Sequence, residues 1–286
     1  MSIVITGATG QLGRLVIEDL LARGVAAGDI VAVARDRERA ADLTGRGVEL
    51  RVADYERPET LKDVFGAGDR VLLISGNEAG RREEQHKAVV DAAAGAGAAL
   101  LAYTGILGGP DADFTLADEH KATERNILAS GLPYVFLRNG WYTENYTAAL
   151  GPALEHGAVV NNVTDGRVAS AARADYAAAA AAVLTGEGHE NTAYELSGDT
   201  AWSFPEYAAV ITELSGKDVA HKTVPAAAYR EILLGAGLPE VMADILVDVD
   251  AAIDRGRLAG TSGDLARLIG RPTTPLRETV AAALAS

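Results

Sequence analysis

Residues 7–13 read Gly7-Ala8-Thr9-Gly10-Gln11-Leu12-Gly13, a G-x-x-G-x-x-G turn. An apolar run, Ser2–Thr6, precedes it. Gln11–Ala22 follows, with Leu12, Leu15, Val16, Leu20 and Leu21 at helical spacing. Strand, glycine turn and helix in that order restrict the chain to a fold built from strand–helix–strand units. Each glycine has a physical task. Gly7 can take a positive φ in the tight turn, Gly10 lets backbone approach a pyrophosphate, and Gly13 lets the helix pack close to the strand. The free N–H groups at the helix start can then bind an anion, with the helix dipole assisting.

The same alternation continues. Asp29–Ala34, Val48–Val52, Arg70–Ser75, Ala98–Thr104 and Pro133–Arg138 read as strands. Asp36–Leu43, Glu59–Phe65, Arg81–Ala96 and Leu116–Ser130 read as the helices between them. The expected fold is α/β, a Rossmann-type doubly wound parallel sheet with a small, mostly helical C-terminal lobe. After Arg138 the pattern loosens. Tyr142–His156 reads as helix broken at Gly151-Pro152, Val168–Ala171 and Tyr194–Leu196 as late strands, and Arg173–Leu184 as the helix between them. Pro205–Ser215, Ala226–Leu234, Pro239–Asp254 and Ser262–Ile269 are helical, and a last helix follows Pro275. This places a dinucleotide-binding core at 1–198, with 140–160 contributing to the substrate lobe, and a substrate lobe at 199–286 over the carboxyl ends of the strands.

Composition narrows function by exclusion. The chain of 286 residues carries a net charge of −14, which argues against nucleic acid or an anionic membrane as partner. No cysteine is present, so disulfides, thiolate metal sites and cysteine nucleophiles are out. The five histidines show no i, i+4 pairing and no His-Glu-x-x-His, and no Gly-x-Ser-x-Gly elbow or flavin motif occurs. Neither a secretion signal nor a membrane-spanning run is evident. A cytoplasmic protein, monomeric or homodimeric, is the expectation.

Ligands of such sheets sit beyond the carboxyl ends of the strands. The second strand ends Val33-Ala34-Arg35. Arg35 offers a planar fork suited to a 2′-phosphate, with Arg37 and Arg39 adding charge, so NADPH is expected over NADH. Asp36 would reverse that preference if it faced the ribose instead. Asp54 is placed to accept from the adenine amino group. Ser75 and Gly76 let backbone pass near the ribose, and Tyr103-Thr104-Gly105 and Asn139-Gly140-Trp141-Tyr142 end the fifth and sixth strands. Trp141, Tyr142 and Tyr146 cluster in a chain with only 5% aromatic residues. They read either as a pocket for a flat substrate beside a nicotinamide or as a hydrophobic hinge.

Three blocks carry a wider likeness: Ile5 to Gly13, Ala117-Asp118-Glu119-His120, and Leu137-Arg138-Asn139-Gly140-Trp141-Tyr142-Thr143-Glu144-Asn145-Tyr146. With Ala171–Tyr176 and Leu268–Thr273, the chain resembles the NmrA-like group of atypical short-chain dehydrogenases, in its quinone- and triphenylmethane-reducing branch. The resemblance implies NADPH binding and reduction of quinones or similar flat conjugated acceptors. Typical short-chain dehydrogenases carry Tyr-x-x-x-Lys on the helix after the fifth strand. Leu116 and His120 stand at those positions here, so carbonyl reduction by that pair is not expected. Tyr103, Asn139 and His120 are the candidate catalytic donors, with Tyr142 near the acceptor. An NAD(P)-sensing regulator without turnover, and a tailoring reductase or oxygenase on a polycyclic aromatic metabolite, are the alternatives.

Overall fold

The structure is a computed structural model and describes residues 1–78 and 80–285. Its strands are β1 (Ile3–Ile5), β2 (Ile30–Ala34), β3 (Glu49–Val52), β4 (Arg70–Leu73), β5 (Leu100–Ile106), β6 (Tyr134–Asn139), β7 (Ala158–Asn161), β8 (Arg167–Val168), β9 (Thr192–Leu196), β10 (Trp202–Ser203) and β11 (Ala220–Thr223). Its helices are α1 (Gln11–Ala22), α2 (Ala41–Gly45), α3 (Arg82–Ala96), α4 (Leu116–Ser130), α5 (Thr143–Thr147), α6 (Leu150–His156), α7 (Arg173–Thr185), α8 (Phe204–Ser215), α9 (Ala226–Gly235), α10 (Glu240–Asp254), α11 (Asp264–Ile269) and α12 (Leu276–Leu284).

The chain divides into two compact units. The first holds Met1–Gly109, Glu119–Asn139 and Ala174–Glu195; the second holds Pro110–Asp118, Gly140–Arg173 and Leu196–Ser286. The division is therefore not a single cut: the stretch after β6 already belongs to the second unit.

The first unit is built on a seven-stranded sheet in the order β3-β2-β1-β4-β5-β6-β9. Every recorded pairing from β3 to β6 is parallel. At the far edge, Asn191 donates its N–H to Tyr134, and Gly140 donates to Leu196, so β9 runs in the same direction as β6. β1, β2 and β5 are buried along their whole length. That explains runs such as Ile30–Ala34 with no polar alternation: a sheet covered on both faces has no wet side. The edge strand β3 instead carries Glu49 and Arg51 and is partly exposed, which discourages edge-to-edge pairing. α1 buries Leu12, Val16, Ile17 and Leu20. α7 buries Ala177–Ala181 almost completely, so small side chains let it lie close to its neighbours. The chain crosses from β3 to the other side of β1 to form β4, which makes β1/β4 the topological switch point.

Four expectations are corrected. The helix at Asp36–Leu43 is a 3₁₀ turn at Glu38–Ala40 followed by the short α2. The Asp36 carboxylate accepts the Glu38 N–H at 2.8 Å and turns the chain locally. The helix at Glu59–Phe65 is reduced to a 3₁₀ turn at Pro58–Leu61, where the Thr60 hydroxyl bonds the carbonyls of Asp54 and Arg57. The break in Tyr142–His156 falls at residues 148–149, ahead of Gly151-Pro152. Pro152 lies in the first turn of α6, where its missing N–H has no intrahelical partner to lose. Finally, β5 continues to Ile106, because β6 pairs with it as far as Asn139. Tyr103, Thr104 and Gly105 are thus inside the strand.

In the second unit, β7 pairs in parallel with β11 and β8 antiparallel with β10. The β7–β11 pair has no signature in the sequence, because its strands are four residues of mixed character. α8 begins with a capping box, Ser203 and Glu206 each satisfying the other's backbone. Among the described residues, no helix is long and apolar enough to cross a membrane.

Candidate functional site: a dinucleotide cradle and an aromatic segment

The glycine turn has the geometry its spacing requires. Gly7 sits at φ +60°. A Cβ at Gly13 would lie 2.5 Å from the Gly7 carbonyl oxygen and 2.8 Å from the Ala8 Cα, and one at Gly10 would lie 3.2 Å from the same oxygen. The turn is therefore closed on its own backbone and admits no side chain at Gly13. Within it, Ala8 donates its N–H to Val33 and Gly10 donates to Gly7, while the Gly7 N–H is taken by the hydroxyl of Tyr55 at 3.1 Å. Gly10 is the N-cap of α1, no side chain caps the helix, and its first turn holds no acidic residue. The amides of Gln11, Leu12 and Gly13 lead that uncapped end, which suits a pyrophosphate. Thr9 holds Arg14 through its carbonyl.

At the end of β2, Arg35 is exposed and its guanidinium reaches Glu78 at 3.3 Å. Asp36, exposed as well, accepts the Glu38 N–H with one carboxylate oxygen at 2.8 Å. Arg37 and Arg39 are exposed. After β3, one carboxylate oxygen of Asp54 accepts the Glu56 N–H at 3.1 Å and the other lies 3.5 Å from Arg57. Its first task is thus to hold its own loop.

The ends of β4 and β5 are locked together. β4 stops at Leu73, paired with Tyr103, while β5 runs on. Thr6 and Thr104 take the next two amides: Ile74 donates to the Thr6 hydroxyl at 3.1 Å and Ser75 to the Thr104 hydroxyl at 2.9 Å. Gly76 then donates to His86 Nε2 at 3.0 Å and accepts from Arg82 Nε at 2.9 Å. Arg82 is buried and paired with Glu119 at 2.8 Å. Ser75 and Gly76 are thereby fixed backbone, as a ribose-facing segment needs to be. Sequence reasoning gave no task to Tyr55, Thr6, Arg82 or Glu119, because each acts on a group far away in the chain.

Tyr103 and His120 meet in the interior. Tyr103 is fully buried, and its hydroxyl lies 2.7 Å from His120 Nδ1. Burial, with Arg82 and His86 nearby, holds His120 down at about 3. Burial likewise raises the Tyr103 phenol. The two groups face each other, and the imidazole is neutral. Asn139 is also buried, with its carbonyl accepting the Leu107 N–H.

In the second unit, Gly140 bonds the Leu196 carbonyl, and Tyr142 bridges to Ala171. Trp141 and Tyr142 are half-buried. The Arg173 guanidinium stands 4.9 Å from the Tyr142 ring centroid. Tyr146 differs: its ring packs edge-on against Trp202 at 4.9 Å and Phe204 at 5.6 Å. Trp202 is anchored by a 2.9 Å bond to Ser170. Tyr146 is therefore part of an aromatic cluster of this unit and, like Trp141 and Tyr142, is half-buried.

A family model described as NAD(P)H-binding matches residues 7–187, from the first glycine of the turn through α7. The chain belongs to the NAD(P)H-binding, NmrA-like family. Escherichia coli quinone oxidoreductase 2 is 45% identical over 278 residues, 97% of each chain. The crystal structure of the E. coli NADPH-dependent quinone oxidoreductase with NADPH superposes with a TM-score of 0.95 at 45% identity, covering 99% of both chains. Citrobacter sp. triphenylmethane reductase complexed with NADP(H) gives a TM-score of 0.94 at 43% identity, covering 99% of this chain and all of that one. Among the described residues, no group of His, Asp or Glu could hold a metal ion.

Proposed function

We propose that the protein is an NADPH-dependent oxidoreductase that reduces quinone-like, flat conjugated aromatic acceptors. Quinone oxidoreductase 2, at 45% identity over nearly the whole chain, supports the reaction class. Residues 7–13 and Arg35 fit the coenzyme: the turn admits no Cβ at Gly13, its helix end is uncapped, and a guanidinium stands at the end of β2. When bound, NADPH supplies a hydride.

The chain's own residues then have limited tasks. The amides of Gln11, Leu12 and Gly13 hold the diphosphate, Arg35 holds the 2′-phosphate, and the locked segment Ser75-Gly76 lines the ribose side. Thr104, toward the end of β5, and Asn139, at the end of β6, serve the nicotinamide end. Trp141 and Tyr142 offer flat, partly exposed rings to the acceptor.

The observation that carries the choice of acceptor is the buried Tyr103–His120 pair. A simple carbonyl needs a positioned proton donor as the hydride arrives; this helix has Leu116 and a neutral, buried His120 where such a pair would stand. A quinone tolerates that, since its reduced anion is delocalised and takes its proton from water. Positioning donor and acceptor is then the main catalytic contribution. Mixing the purified protein with NADPH and a panel of soluble quinones tests this. Loss of reduced-nicotinamide absorbance with quinones, and none with simple aldehydes or ketones, is the expected result. No loss with any quinone sinks the reading.

A further inference from the structure

The contact made by Arg35 has a construction that an ordinary surface ion pair lacks. Glu78 reaches Arg35 with one carboxylate oxygen at 3.3 Å, and its other oxygen accepts from Gln85 Nε2 at 3.0 Å. Gln85 is buried on α3, at 6% exposure, so it aims the carboxylate from beneath. The same amide lies 3.3 Å from Glu56, and Glu56 pairs with Arg81 at 2.5 Å. Two loops, one after β3 and one after β4, thus converge on Gln85 and place a fixed negative charge against the guanidinium. The Gln85 bond also holds the Glu78 carboxyl below the usual carboxylate range, with Arg35 helping, so the charge is present at neutral pH.

We propose that Glu78 is a specificity-determining residue for the coenzyme, a carboxylate that competes with the 2′-phosphate for Arg35. The inference rests on the reading of Arg35 as the group that selects NADPH. A phosphate approaching Arg35 meets like charge from Glu78, whereas an unphosphorylated ribose does not. A carboxylate near a ribose is, moreover, the group by which NAD-type sites hold the 2′-hydroxyl. Glu78 therefore weakens NADPH and spares NADH, narrowing the preference that Arg35 creates. Both partners are exposed, Arg35 at 62% and Glu78 at 41% of the side chain, so the pair itself is weak and the phosphate wins the exchange.

The test is coenzyme titration by calorimetry at low salt, on the wild type, Glu78→Gln, Arg35→Ala and the double variant. Gln keeps an oxygen for Gln85 and removes only the charge. Glu78→Gln is expected to tighten NADPH about threefold to tenfold, leave NADH unchanged or slightly weaker, and lose most of its gain at high salt. In the Arg35→Ala background the gain disappears. Unchanged NADPH affinity in Glu78→Gln, an equal gain for both coenzymes, or a gain that survives Arg35→Ala each overturns the proposal. If Arg35→Ala collapses the NADPH preference while Glu78→Gln is neutral, only the role of Glu78 falls. If Arg35→Ala leaves the preference intact, the reading of Arg35 falls with it.

Discussion

His86 Nε2 accepts the backbone N–H of Gly76 at 3.0 Å, and through that bond α3 holds the segment that leaves β4. With Nε2 accepting, the proton sits on Nδ1, which donates to the Thr123 hydroxyl at 2.9 Å; Thr123 in turn donates to the Glu119 carbonyl. The ring is neutral and bonded at both nitrogens. Replacing it with alanine opens a cavity and orphans the Gly76 N–H. His86→Ala should cost about 2–4 kcal/mol and raise the KM for NADPH more than it lowers kcat. Denaturant unfolding and steady-state kinetics would show it, and an unchanged KM would remove the positioning role.

The same burial makes acid stability depend on the histidines. His86 and His120 are both held at about 3, against an ordinary value of 6.5. Between those values the unfolded chain binds protons that the folded chain does not, so stability rises with pH across that window and falls on acidification. Each ring contributes on the order of a few kcal/mol. His120→Gln should flatten the fall between about pH 6.5 and pH 4, read as the unfolding midpoint at each pH. A profile as steep as that of the wild type would contradict the assignment.

Gly13→Ala tests the cradle. The added Cβ meets backbone on two sides, at 2.5 Å and 2.8 Å, and backbone does not step aside cheaply. Stability should drop by about 1–3 kcal/mol, and NADPH affinity should fall at least tenfold as the turn opens. Calorimetry on the folded variant separates the two effects, and wild-type affinity would count against the cradle.

Tyr142 and Tyr146 should behave differently despite standing four residues apart. Tyr146→Ala removes a ring from the cluster with Trp202 and Phe204 and should destabilise by about 2–4 kcal/mol. Tyr142→Ala removes a half-buried ring stacked under Arg173 and should mainly raise the KM for quinone. Paired melting curves and kinetics decide the matter; equal losses of stability would mean that both rings are core.

Asp250 is a buried carboxyl on α10 that accepts the Asn162 N–H at 3.1 Å. Burial, with Asp254 adding and the Asn162 bond opposing, raises it to about 7 from an ordinary 3.8. The folded chain therefore holds a proton that the unfolded chain has released between those values. The stabilisation this gives is present at low pH and is lost as pH rises through 7, opposite in sign to the histidines. Asp250→Asn keeps an acceptor for Asn162 and should stabilise by about 1–3 kcal/mol at pH 8, with little effect at pH 5. Thermal melts at the two pH values check it.

The sheet was legible because its strands obey local rules. Ile30–Ala34 is apolar throughout and Leu100–Ile106 nearly so, as doubly covered strands are, and α1 and α4 were placed to the residue. The turn at 7–13 was legible because a dinucleotide demands glycine at fixed spacing. The short helices after β2 and β3 were misread because side chains of Asp36 and Thr60 bond nearby backbone, which a periodicity count does not see. β7 and β11 were missed because strand pairing across sixty residues leaves no trace in either segment.

Local sequence thus determined where the backbone must turn tightly, which runs lie between two layers of helix, and which strand end carries a guanidinium. Only the tertiary structure decided that His120 meets Tyr103, that Tyr146 packs against Trp202, and that Glu78 stands against Arg35. The physical reason is the range of the forces involved. Backbone conformation answers to neighbours a few residues away, whereas burial and charge pairing depend on groups that only the folded chain brings together.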